Sequence, residues 1–164
     1  QAVVQLGTAH LRAVLVELSA RRVFDSPRAS VRHAFNGIWK HSVAVASFAR
    51  TIGKELGQPV PADDRHLGGL LHDIGKPLVG AMLLEAEKVI GQGFRVDAET
   101  WVAIVELTHR RVAVELAVGW NLSEPVAHVI ANASGYGDAL ATNIVCLANA
   151  VANQRQLEKN TLFA

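Results

Sequence analysis

An all-α single domain is the fold class this sequence predicts, on three observations. Apolar residues recur at steps of three and four along most of the chain, glycine and proline cluster between those runs, and no sustained apolar/polar alternation marks a strand. The 164 residues, half of them hydrophobic, suit one domain with a substantial core. No internal repeat or low-complexity stretch divides them.

Residues 1–20 make the first expected helix, with Val3, Val4, Leu6, Leu11, Val14, Leu15 and Leu18 in helical spacing. Asp25-Ser26-Pro27 then supplies turn and cap chemistry. A second helix spans residues 29–57 and stops near Gly57-Gln58-Pro59. Its apolar stripe of Ala34, Phe35, Ile38, Val45, Phe48, Ile52 and Leu56 places His41 on or beside the buried face. Pro61, Asp63 and Asp64 open a third helix, where exposed amides favour proline and acids. It is short and apolar and is expected to end at Gly75, with Pro77 beyond. Residues 78–90 form a fourth helix. Asp97 opens a fifth, carrying Trp101, Ile104, Val105, Val112 and Leu116 with His109 on the same side. Ser123-Glu124-Pro125 starts a sixth, and after Gly135-Tyr136-Gly137-Asp138 a seventh runs to about Gln156 through Ile144, Val145, Ala148, Val151 and Ala152. The total is about seven helices.

The chemistry concentrates in Gly69-Leu-Leu-His72-Asp73-Ile-Gly75-Lys76. Imidazole nitrogen and carboxylate oxygen are both usual ligands of a divalent metal, and adjacency in one helical turn points them into neighbouring space. A structural metal takes about four protein ligands and a catalytic one about three plus water, so a pair is not yet a site. His41 is the upstream candidate, and Asn149, in Leu147-Ala148-Asn149-Ala150, is the downstream one. His109 is a further pocket candidate; Glu106-Leu-Thr-His109 matches half of the Glu-x-x-His pattern of di-iron bundles, in a single copy. Against these readings, a histidine on an apolar stripe is commonly a hydrogen-bonded core residue, and His72 with Asp73 can simply cap a helix end. The glycine spacing and Pro77 exclude a phosphate-binding loop between Gly69 and Lys76.

A histidine inside a helix, a helix ending in His-Asp, and a late helix with an acid in a Leu-Ala-Asp-Ala context are the ligand order of the HD superfamily of metal-dependent phosphohydrolases, which this chain resembles with Asn149 in the acid's place. More closely, Trp39-x-His41-Ser42, the segment Gly69 to Lys76, and His109 followed by Trp120-Asn-Leu-Ser-Glu-Pro125 resemble the HDOD family, the HD-related output domain of bacterial signalling proteins. Gln1 to Gly7 is similar to the helix that precedes the HD core there. The resemblance covers nearly the whole chain and implies an HDOD-like domain over residues 1–164, with an HD-type core over about residues 29–158. It implies a fragment, because the helices that usually precede the Ala-Val-x-x-Leu-Gly-like segment are missing.

Two departures bear on activity. The late HD aspartate is replaced by Asn149, and Ala131-Asn132-Ala133 stands where many members carry a His-His pair. Two-metal hydrolysis needs ligands for two cations about 3.5–4 Å apart, and a neutral amide neither offsets metal charge nor bridges as a carboxylate does. His41, His72 and Asp73 therefore read as a vestigial or weak metal set, with His109 and Asn149 lining the pocket. No catalytic residue and no cofactor is expected, although two histidines and a carboxylate are a set that mononuclear iron sites use. The function the resemblance implies is a non-catalytic signal-transduction domain working with other signalling proteins or domains. The alternatives are a metal-dependent phosphohydrolase acting on a nucleotide or cyclic dinucleotide, and an assembly module whose polar pocket only fixes packing.

The formal charge of +1 divides into +5 over residues 1–60 and −4 over residues 61–164. Arg21, Arg22, Arg28 and Arg32 form the basic cluster; a solvated face outweighs an anionic partner there, and without aromatic interleaving no nucleic-acid surface is predicted. The single Cys146 cannot form an internal disulfide, and its apolar context makes it a small buried thiol. No apolar run reaches the ~18 residues a membrane helix needs, and residues 1–20 lack a signal-peptide pattern, so a cytoplasmic location is the default.

Overall fold

The computed structural model describes residues 7–91 and 93–154. Its helices are α1 (Thr8–Val23), α2 (Ala29–Glu55), α3 (Ala62–Leu71), α4 (Gly75–Ile90), α5 (Ala98–Gly119), α6 (Glu124–Asn132) and α7 (Leu140–Gln154), with no strand among the described residues. The all-α expectation and the helix count of about seven agree with this architecture. Val3, Val4 and Leu6 of the first expected helix, and the last expected turn of the seventh near Gln156, lie outside the described residues.

The organising unit is an antiparallel hairpin of α2 and α3. Its register is set by glycine: a Cβ on Gly69 would lie 2.7 Å from the Ala46 Cα, so only a bare α-carbon lets the two backbones approach so closely. From that contact the chain runs forward to His72 and back to His41, which brings the two rings together. The stripe of α2 turns inward at Ala34, Phe35, His41 and Val45, is half-buried at Ile38, Phe48 and Ile52, and comes out to solvent at Leu56, where the helix ends.

A second pair, α4 and α5, packs against the hairpin through Val79, Leu84, Trp101 and Val105, which join Phe35, Leu70, Leu71 and Ile74 in the larger core cluster. Asp97 caps α5 by accepting from the Thr100 N–H at 2.9 Å, as its position before the apolar run predicts. Phe35 is 1% exposed at the centre of this cluster. Phe35→Ala is expected to cost about 3–5 kcal/mol through lost burial and a cavity, read as a lower urea midpoint at unchanged slope. α7 packs against α2 in a smaller cluster of Val45, Ala49, Val129, Ile144, Val145, Ala148 and Ala152, and so carries Asn149 toward the hairpin.

Two expectations need correction. The third helix does not run to Gly75: it ends at Leu71, residues 72–74 form a turn, and Gly75 is the first residue of α4, with Pro77 inside that helix's first turn. Proline is tolerated there because a first-turn amide has no helical acceptor to lose. The apolar stripe of the first helix is also less buried than its spacing implies. Ala13 and Ala20 face the body, whereas Leu15 and Leu18 remain 56% and 62% exposed.

The basic cluster is partly spent inside the fold. Arg28 pairs with the buried Glu87, whose other oxygen accepts from the Val96 N–H at 3.0 Å. Arg21 bonds Asn36 Oδ1 and lies 5.2 Å over the Trp39 ring. No helix among the described residues is long and apolar enough to cross a membrane.

Candidate metal centre

Three of the expected residues converge. One donor atom each from His41, His72 and Asp73 fall within 4.8 Å of one another, all three residues buried. The His41 and His72 rings stand 5.5 Å apart. His72 Nδ1 donates to the Gly69 carbonyl at 2.8 Å, so the nitrogen left to bind a ligand is Nε2. That Nε2 is buried without a hydrogen bond among the described residues and lies 3.5 Å from Asp73 Oδ2. His109 is held the same way: its Nδ1 bonds the Val105 carbonyl at 2.9 Å and turns Nε2 toward Asp73 Oδ1 at 3.9 Å.

The turn between α3 and α4 aims Asp73. Because α3 ends at Leu71, Asp73 is carried just ahead of the N-terminus of α4, where the helix dipole favours a carboxylate. Lys76 N donates to the Asp73 carbonyl at 3.0 Å, and from the first turn of α4 the Lys76 ammonium reaches Asp73 Oδ2 at 2.9 Å. Burial pushes the Asp73 carboxyl up, but the charges of His72, Lys76 and His109 and the Lys76 hydrogen bond outweigh it and hold the group well below the ordinary carboxylate range.

His72, Asp73, Lys76, Glu106, His109, Arg110, Asn149 and Asn153 line a cleft of about 530 Å³. Asn149 faces this cleft with its Oδ1 buried and without a hydrogen bond among the described residues. Of the five residues expected from the sequence, His41 stands beside His72, and His72, Asp73, His109 and Asn149 line the cleft. Glu106 is 55% exposed with Oε1 3.6 Å from the Lys76 ammonium, and the metal-capable group among the described residues includes neither it nor His109.

Sequence reasoning missed Lys76 and Arg110. Lys76 had a signal, its i,i+3 spacing from Asp73. Arg110 had none: its Nη1 donates to the carbonyls of His72 at 2.8 Å and Ile130 at 3.0 Å, tying the ends of α3 and α6 to the middle of α5.

The donor set fits one divalent ion, held by His41, His72 Nε2 and Asp73. It does not fit two, because Asp73 is the single carboxylate among those donors and Asn149 brings no charge. When bound, such an ion would act as a Lewis acid in the cleft.

The family model for the HDOD domain matches residues 1–136. The chain belongs to the HDOD family. The match includes His41, His72, Asp73 and His109 and stops before α7, so Asn149 stands outside it. A crystal structure from Shewanella amazonensis SB2B, described as a metal-dependent phosphohydrolase, is similar at TM-score 0.74 and 19% identity, over 97% of this chain and 60% of that one. An HDOD domain protein of unknown function from Geobacter sulfurreducens is similar at TM-score 0.63 and 23% identity, over 95% and 54%. An uncharacterized protein of Treponema pallidum (strain Nichols) is 24% identical over 134 residues, 79% of this chain and 25% of that protein. The HDOD domain thus shares its fold with solved HD-like proteins and spans a quarter of the length of the Treponema relative.

Proposed function

We propose that this HDOD domain is a non-catalytic element of bacterial signal transduction, whose degenerate metal pocket receives or transmits a signal through protein contacts or a small ligand. The observation that carries the reading is charge balance. The two carboxylates lining the cleft, Asp73 and Glu106, are matched by Lys76 and Arg110, and position 149 is an amide. A two-metal hydrolytic centre requires excess negative charge to hold its ions, and the cleft supplies none. On this reading its partners are other signalling proteins or domains.

A second reading is favoured by the grouping of His41, His72 and Asp73 and by the likeness to the Shewanella protein: a mononuclear metal-dependent phosphohydrolase acting on a nucleotide or cyclic dinucleotide. The two separate in one assay. The intact protein, supplied with manganese, iron or magnesium and a panel of nucleotides and cyclic dinucleotides, is expected to release no product above background. Turnover that disappears in both His72→Ala and Asp73→Ala would establish the hydrolase instead.

A further inference from the structure

We propose that Lys76 is the resident cation of the cleft, competing with a divalent ion for Asp73 and so setting how weakly this domain holds metal. The inference rests on reading His41, His72 and Asp73 as a three-donor set, and it stands whether or not the domain is catalytic.

Three observations carry it. Asp73 Oδ2 is approached from two sides, by the Lys76 ammonium at 2.9 Å and by His72 Nε2 at 3.5 Å. An ion joining His72 to Asp73 through Oδ2 would share that oxygen with the ammonium, and the two cations would repel across a few ångströms. The second observation is charge. With Lys76 in place the lining carboxylates and cations balance, so a divalent ion enters against an unmatched excess of positive charge in a mostly buried site where water screens poorly. Asn149 cannot relieve it.

The third is placement. Lys76 sits on the first turn of α4, the helix whose start also fixes Asp73, so the ammonium and the carboxylate are presented together. The Lys76 side chain is 20% exposed and also reaches Glu106 Oε1 at 3.6 Å, which gives the ammonium an outward resting place on a flexible stem. The arrangement is therefore competition for Asp73 and not permanent exclusion.

Lys76→Met in the full chain keeps the stem and removes the charge. Titration with Mn²⁺ by calorimetry, with bound metal counted by elemental analysis, is expected to show at least tenfold tighter binding than wild type. Mn²⁺ should raise the melting temperature of the variant more than that of wild type. Lys76→Arg should bind as weakly as wild type, and Asp73→Asn added to Lys76→Met should abolish the gain. Equal or weaker Mn²⁺ binding by Lys76→Met overturns the proposal, whatever the hydrolysis assay shows.

Should Lys76→Met fail to fold, the wild-type protein crystallised in excess Mn²⁺ decides. An ion on His41, His72 and Asp73, with Lys76 Nζ moved away from Asp73 Oδ2, supports competition. An ion there with Nζ still in place, or no ion at all, refutes it.

Discussion

Gly75→Ala is expected to be the most damaging single methyl in this protein, costing at least about 4 kcal/mol, beyond the usual range of overpacking. A Cβ at position 75 would fall inside the van der Waals radius of the His109 carbonyl oxygen, a backbone atom within α5 that no rotamer change can move. The strain would be relieved only by separating α4 from α5, which opens the packing around Trp101 and Val105 and displaces Asp73 from His109. Gly119→Ala is the control, since a Cβ there meets open space and the residue is helical. It should change stability by less than about 1 kcal/mol. Urea unfolding followed by circular dichroism distinguishes them; similar midpoints would mean that the close approach of α4 and α5 is not a constraint.

Glu87→Ala is expected to cost about 3 kcal/mol, towards the lower end for breaking a buried ion pair because Arg28 is 34% exposed and can rehydrate. Glu87 is 1% exposed and collects Arg28, Arg95 at 3.9 Å and the Val96 N–H, joining the end of α4 to the start of α2 and to the segment before α5. Burial pushes its carboxyl up, but the hydrogen bonds from Arg28 and Val96 and the two arginine charges overcome this and leave it below the ordinary glutamate value. The sign follows from linkage. A carboxyl whose folded value is depressed contributes stability that is present above its unfolded value of about 4.5 and is lost as pH falls through the lower folded value. Wild type should therefore lose stability below about pH 4.5 more steeply than Glu87→Ala. Parallel acid profiles for the two proteins would remove Glu87 from the account.

Local signals located most of the helices because their causes are local. Asp97 caps α5 by bonding Thr100, three residues on, and Pro125 stands at the start of α6 where a missing amide is harmless. The apolar stripe of α2 placed His41 inside because its periodicity is set by the same helix. The boundary between α3 and α4 was misplaced because the constraint on Gly75 comes from His109, 34 residues further along the chain, and not from a positive φ at a helix end.

The site divides in the same way. His41, His72 and Asp73 were legible as ligand chemistry in helical context, and Asn149 as an amide in an acid's place. Arg110 was not legible, since its two carbonyl partners lie 38 and 20 residues away and nothing in its own segment asks for a cation. Glu87 was equally silent, since its partners Arg28 and Val96 lie 59 and 9 residues away.

The Arg110 contact has a mechanical consequence. One guanidinium nitrogen grips the last turns of two helices, and Ser134, just beyond one of them, lies on the wall of both the His72 cleft and a second cavity of about 620 Å³ beside Tyr136. The two hollows share a wall at Ser134, in a segment held at one end by Arg110 and further on by Cys146, whose Sγ reaches the Ala133 and Gly135 carbonyls.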